Sequence, residues 1–197
     1  MALTEQDEQL RRTQVKNTHG FATNISILGK RDLPPLLIGK DGSLSVNRAG
    51  SLTTPAFSTA TASDLLVAFV SYDGPAGSSQ TANVSGAGLT WTLLELSNTQ
   101  SGTGEIWSAR ADGTLSGVTV NSLLGTGTGY HGSLTVIAFT NCAGTSVVGR
   151  SGAPSGAPHI ILPGVIAGDW VFAVGNDWDH CESSSPIKRT GARPSKA

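Results

Sequence analysis

The sequence predicts an all-β protein, an antiparallel two-sheet sandwich of jelly-roll-like form preceded by a short N-terminal helix or extended attachment segment. Three observations carry this prediction. The chain of 197 residues holds 25 glycines among many Ser and Thr, with 14% charged and 38% hydrophobic residues, a balance that suits short strands joined by tight turns. Stretches rich in β-branched and aromatic residues recur from residue 64 to residue 175, with Gly, Ser, Asn and Asp between them. No helical periodicity intervenes, and that excludes a βαβ arrangement.

At this length the chain accommodates one domain with a substantial core plus smaller appendages. Residues 1–50 read as an attachment or oligomerisation segment, 51–179 as the β-sandwich domain, and 180–197 as a basic, disordered tail. In the first segment, good helix formers run from Thr4 to Val15, and Thr4 with Asp7 has the spacing of a capping box. Its apolar positions, Leu3, Leu10 and Val15, are too few to bury a face alone, so such a helix needs its own copies as partners. From Ile25 to Ala49 the chain breaks into short extended pieces at Gly, at Pro34-Pro35 and at Asp41-Gly42. Leu36-Leu37-Ile38, the Asp-Gly pair, then Leu44 and Val46 predict a small hairpin.

Regular strands are expected at DLLVAFVSY (64–72), LTWTLLEL (89–96), EIWSAR (105–110), VTVNSLL (118–124), SLTVIAFT (133–140) and DWVFAVG (169–175), with weaker ones at 80–85 and 158–162. In the first of these, Leu65, Val67 and Phe69 alternate with Leu66, Ala68 and Val70, so both faces are apolar and the strand belongs at the centre, covered on both sides. In LTWTLLEL, Leu89, Trp91 and Leu93 point one way and Thr90 and Thr92 the other, as in a half-exposed strand. Strands at this spacing match a sandwich or jelly roll. A weak internal echo aligns Asp64 with Asp169, each opening an apolar strand, but two copies do not make a repeat array.

Charge narrows the partners. Between residues 51 and 179 only Arg110 and Arg150 are basic, against eight acidic residues, a net of −6 that repels nucleic acid. No apolar run approaches a membrane span, and MALTEQDEQLRR lacks the apolar stretch of a secretory signal. The body nevertheless has an extracellular composition, which suits either a cytosolic protein of unusual composition or one that leaves the cell without a signal of its own, as virion parts do on lysis or as a fragment of a longer chain would. Cys142 and Cys181 allow one disulfide but offer no metal-ligand spacing, and two thiols are expected.

The candidate site residues are few. GNDWDH, with Asn176, Asp177, Trp178, Asp179 and His180, is the densest polar cluster and should emerge at one end of the sandwich. Asn176, Asp177, Asp179 and Asp73 are oxygen donors of the type calcium takes, but their spacing is that of no calcium loop, so a structural turn is expected and no metal. Trp91 and Trp170 are assigned to the core. Trp107 and Trp178, beside Glu105 and Asp179, are the candidates for exposure and for stacking on sugar rings. The candidate ligand-binding set is therefore Trp107, Trp178, Asp177 and Asp179.

Catalytic residues are not expected. His19, His131, His159 and His180 are scattered, and neither HExxH nor GxSxG occurs. Glu95 and Glu105 on neighbouring strands have the chemistry of a glycosidase pair, but are read as surface residues. GTGTGY (125–130) lacks the Lys and helix of a phosphate loop and is read as a turn. No cofactor is implied.

TPAFSTATASDLLVAFVSYDGP (54–75), VSGAGLTWTLLELSNTQSGTGEIWSARA (84–111) and GDWVFAVGNDWD (168–179) together resemble a β-sandwich, jelly-roll-like module of secreted bacterial proteins and of phage structural proteins of fibre or decoration type. The resemblance covers about two thirds of the chain, implies a jelly-roll-like fold, and brings no defined activity and no catalytic residue. In the related module further core strands follow the GNDWD strand, whereas here the chain turns to CESSSPIKRTGARPSKA. The expected role is a non-enzymatic structural or adhesive component of a phage particle, attached to other virion proteins through residues 1–50. It would be homo-oligomeric, a trimer fitting well, and would face host surface glycans. The alternative is a carbohydrate-binding module of a secreted or cell-surface bacterial protein.

Overall fold

A computed structural model describes residues 21–28, 39–74, 80–125, 129–152, 159–167 and 169–177. The expected N-terminal helix, residues 36–38 of the expected hairpin and the basic tail lie outside the described residues. Within them the chain is all-β and antiparallel. In chain order the strands are β1 (Phe21–Leu28), β2 (Gly39–Ala49), β3 (Leu52–Thr53), β4 (Leu65–Tyr72), β5 (Ala82–Gly86), β6 (Thr92–Ser97), β7 (Thr103–Arg110), β8 (Val120–Leu124), β9 (His131–Thr140), β10 (Thr145–Gly152) and β11 (Trp170–Asp177).

A five-stranded sheet, β2-β9-β4-β7-β6, runs through the middle, with β3-β8-β5 against one face and β10-β1-β11 against the other. The reason is in β4. All eight residues of LLVAFVSY are buried, so the strand demands cover on both sides, as its doubly apolar sequence requires. Leu66, Ala68, Val70 and Tyr72 pack with Leu134, Val136 and Ala138 of β9 under Leu52, Ala82, Val84, Val120 and Leu124 of the first cover. Leu65, Val67 and Phe69 pack the opposite way, with Ile106, Ile137 and Phe139, under Val174, Trp170 and Phe172 of the second. Each fully buried Val, Leu, Ile or Phe among them contributes roughly 1.5–3 kcal/mol by leaving water.

The second core is aromatic. Phe172 of β11 lies 5.2 Å from Phe139 and 5.7 Å from Phe69, and Trp170 meets Phe139 edge-on at 6.0 Å. Trp170 is thus a core residue, as expected. Trp91 also packs against the core, on the first side, and its indole N–H donates to Gly86 O at 3.2 Å.

Three expectations about elements change. Asp41-Gly42 does not turn a hairpin. β2 runs straight through it and pairs with β9, with a bulge at Asp41 between Lys40, opposite Phe139, and Gly42, opposite Ala138. The bulge frees Asp41 from the ladder, and its Oδ2 accepts the amides of Ala60 and Thr61 at 2.6 and 3.0 Å. Residues 159–162 are not a strand. Pro163 removes an amide and Gly164 turns with φ of 82°, while Ile160 and Leu162 lie over Gly149 of β10. The strand expected to begin at Leu89 begins at Thr92, because Gly86, Ala87 and Gly88 all have positive φ and swing the chain before it. β1 and β10, not anticipated, pair with each other, and β1 also pairs with β11. The segment 1–50 therefore supplies two strands to the body.

Tyr72 fastens the layers. It closes β4, is buried, and its hydroxyl donates to Ser122 O of β8 at 2.9 Å. Its ring lies against Gly132 of β9, where an added Cβ would stand 2.3 Å from the ring and 2.9 Å from Ser71 O. Gly132→Ala is expected to destabilise the protein by about 1–3 kcal/mol, since neither the ring nor the backbone of the paired strand has room to yield. Urea unfolding followed by circular dichroism measures it, and an unchanged midpoint would contradict the packing described.

Candidate functional site

The most organised polar constellation sits where β5, β6 and β7 meet, and its centre is Glu105. Residues 105 and 107 alternate to the same face of β7, so Glu105 and Trp107 stand side by side toward the first cover sheet. Glu105 is completely buried, which corrects its reading as a surface residue. A carboxylate survives there only if its lone pairs are occupied. They are. Oε1 accepts the amide of Ala82 at 2.7 Å and the Thr103 hydroxyl at 2.9 Å, and Oε2 accepts the Trp107 indole N–H at 2.8 Å. Burial pushes the Glu105 carboxyl above its usual range, and hydrogen bonds from Ala82, Trp107, Thr103 and Thr81 pull against that rise without cancelling it.

Glu95 does not join it. In the β6–β7 register Glu95 is opposite Ile106, while Glu105 is opposite Leu96, so the two glutamates project from opposite faces of the sheet. Glu95 is instead 3.6 Å from Arg150 of β10, whose guanidinium also donates to Leu96 O. The geometry a two-carboxylate glycosidase needs is absent from this pair.

Trp107 is half-buried, with its ring against the core and its N–H fixed by Glu105. Its cross-strand partner Leu93, at the edge of the central sheet, is 36% exposed. The result is an oriented indole beside an apolar neighbour, capable of stacking on a flat apolar face. Trp178 and Asp179 lie outside the described residues. Asp177 is the last residue of β11. Asn176, beside it, is buried, accepts from the Ser71 hydroxyl at 3.2 Å and donates to Ser101 O at 3.1 Å. Its amide is thus spent on joining β11 to β4 and to the turn before β7. Gly102, with φ of 99°, leaves the space that amide fills.

Arg110 had no assigned role in the sequence. From the end of β7 it donates to Ser63 O, Cys142 O and Ala143 O, each at 2.9 Å, and so ties three chain segments at one end of the sheet. The signal available was its isolation as one of two basic residues in the body. Cys142 is buried and its thiol contacts Gly144 O at 3.5 Å, while Cys181 lies outside the described residues. Among the described residues no three His, Cys, Asp or Glu side chains converge as a metal cage.

Comparison with protein-family models, curated proteins and solved structures gives no match.

Glu105→Gln keeps one oxygen for Ala82 and Thr103 but turns an amide NH2 toward the Trp107 indole N–H, two donors face to face. The variant is expected to lose about 1–3 kcal/mol and to shift tryptophan emission as the ring reorients. Fluorescence-monitored unfolding reads both, and wild-type values for both would remove Glu105 as the anchor of Trp107.

Proposed function

We propose that the protein is a non-enzymatic structural or adhesive component of a phage particle, of fibre, decoration or tail-associated type, that presents a jelly-roll-like body and works as an oligomer. The observation that carries this reading is a run of exposed apolar side chains in the segment that leads into an edge strand and in that strand itself. Ile161 is 78% exposed, Ile166 59%, Val165 45% and Val171 39%, and β11, which contains Val171, ends its sheet in the order β10-β1-β11. Exposed large apolar side chains and sheet-edge strands are both surfaces that association covers. The use of charged groups points the same way: Glu105, Glu95, Arg110 and Arg150 hold strands and loops together. The acidic body and the resemblance of 54–75, 84–111 and 168–179 to phage structural modules support the same class. Attachment to other virion proteins through the N-terminal part of residues 1–50 completes the proposal, with residues 21–28 and 39–49 of that segment also serving the body.

Size-exclusion chromatography with light scattering tests it on the full chain, on a form lacking residues 1–20 and on Val171→Asp. The full chain should be an oligomer, and at least one altered form should dissociate while keeping its β circular dichroism. A monomeric full chain at all concentrations would end the reading.

The oriented, half-buried Trp107 favours a second reading, a carbohydrate-binding module. On a glycan array the wild type should then give a signal that Trp107→Phe keeps in part and Trp107→Ala loses. Equal signals from all three would discard it.

A further inference from the structure

One carboxyl group of the body lies where an ionised carboxylate is poorly tolerated. Asp64 is fully buried at the entry to β4, and no described donor reaches Oδ1 or Oδ2. What it meets, within hydrogen-bonding reach, is another carboxyl, that of Asp41 in the β2 bulge. Two carboxylates in contact repel, and the buried one has lost its hydration as well. Arg110 from β7 offsets part of this, but its guanidinium is already donating to three carbonyls. Residues 58–63, which lie beside Asp41, bring no ionisable side chain, and Cys142 after β9 turns its thiol to Gly144 O.

The two partners are not equivalent. Asp41 Oδ2 accepts the amides of Ala60 and Thr61, donors that favour its ionised form. Asp64 has no such donors, so a single proton on the pair belongs on Asp64, where it supplies the missing O–H donor to Asp41. We propose that Asp41 and Asp64 share one proton, and that the resulting hydrogen bond is a clasp between the β2 bulge and the start of β4 that tightens in mild acid and opens as the pH rises to neutrality.

The titration directions agree. Burial, then the contact with Asp41, push Asp64 from its ordinary 3.8 to about 6, against the pull of Arg110. For Asp41, burial works upward, but the amides of Thr61 and Ala60 and the bond from Asp64 outweigh it and hold the group below its ordinary value. Because the folded value of Asp64 is raised, its contribution to stability is complete below about 3.8 and is lost as pH rises through about 6. Asp41 has the opposite sign, contributing above its ordinary value and losing that in stronger acid.

The experiment is thermal and urea unfolding of wild type and Asp64→Asn from pH 5 to pH 8, with and without millimolar calcium or EDTA. The side-chain amide of that variant donates to Asp41 at every pH. Relative to it, the wild-type ratio of folded to unfolded protein should fall roughly tenfold between pH 5 and pH 8. In parallel, the carbon-13 carboxyl shift of Asp64 in the wild type should titrate above pH 5, a readout that stands even if the variant does not fold. Parallel stability curves, a carboxyl titration below pH 4.5, or a calcium-dependent rise in wild-type stability at pH 8 that Asp64→Asn lacks would each overturn the shared proton, the last by assigning the pair to a cation.

Discussion

A strand with no solvent-facing residue imposes a layer on each side of it, and β4 is such a strand. Its even-numbered residues need one set of apolar partners and its odd-numbered residues another, because successive side chains leave a strand in opposite directions. The rest of the body answers that demand. β9 and β7 flank β4 and are themselves covered; β3-β8-β5 closes one core, and β10-β1-β11 closes the other with Trp170, Phe172 and Val174. The antiparallel ladders supply the backbone hydrogen bonds that burial would otherwise leave unmet.

Polar residues inside this stack act as fasteners between layers rather than as exposed chemistry. Tyr72 reaches Ser122 across one core, Glu105 accepts the Ala82 amide across the same core, and Asn176 joins β11 to β4 on the other side. Each binds an element of the central sheet to an element of a cover, so register between layers is set by directional bonds as well as by packing. Trp107 inherits its orientation from this system, because the carboxylate that fixes its N–H is held by β5 and β7 together.

Much of the fold was legible because burial on two faces leaves a mark in sequence. DLLVAFVSY reads as a central strand and SLTVIAFT as a strand, and they are β4 and β9; Trp170 and Trp91 read as core and pack there. What escaped has physical causes. FATNISIL and TSVVGRSG carry Gly, Ser, Thr and Asn through their length, and became β1 and β10 through pairing across the chain, which no local pattern records. Asp-Gly serves a hairpin turn and a bulge equally well, and the difference at residues 41–42 lies in β9. Glu105 looked superficial because a glutamate is rarely buried. Its burial depends on donors from Ala82 and Thr103, one of them on another strand. The candidate ligand set fared unevenly: Trp107 has a place and an orientation, while Trp178 and Asp179 fall outside the described residues.

The position of β1 bears on how the molecule is made. It is the first described strand, yet it is the middle member of its sheet, with Phe21 opposite Asp177 and Ala22 opposite both Asn176 and Gly152. Neither partner exists until most of the chain has been synthesised. During translation the inner sheet can assemble from β2 through β9 while the aromatic side of β4, with Phe69 and Phe139, waits for its lid. That interval is long in chain terms, and pairings of such separation are slow to close and vulnerable to association. Of the described strands, the last to leave the ribosome is the one that seals the second core.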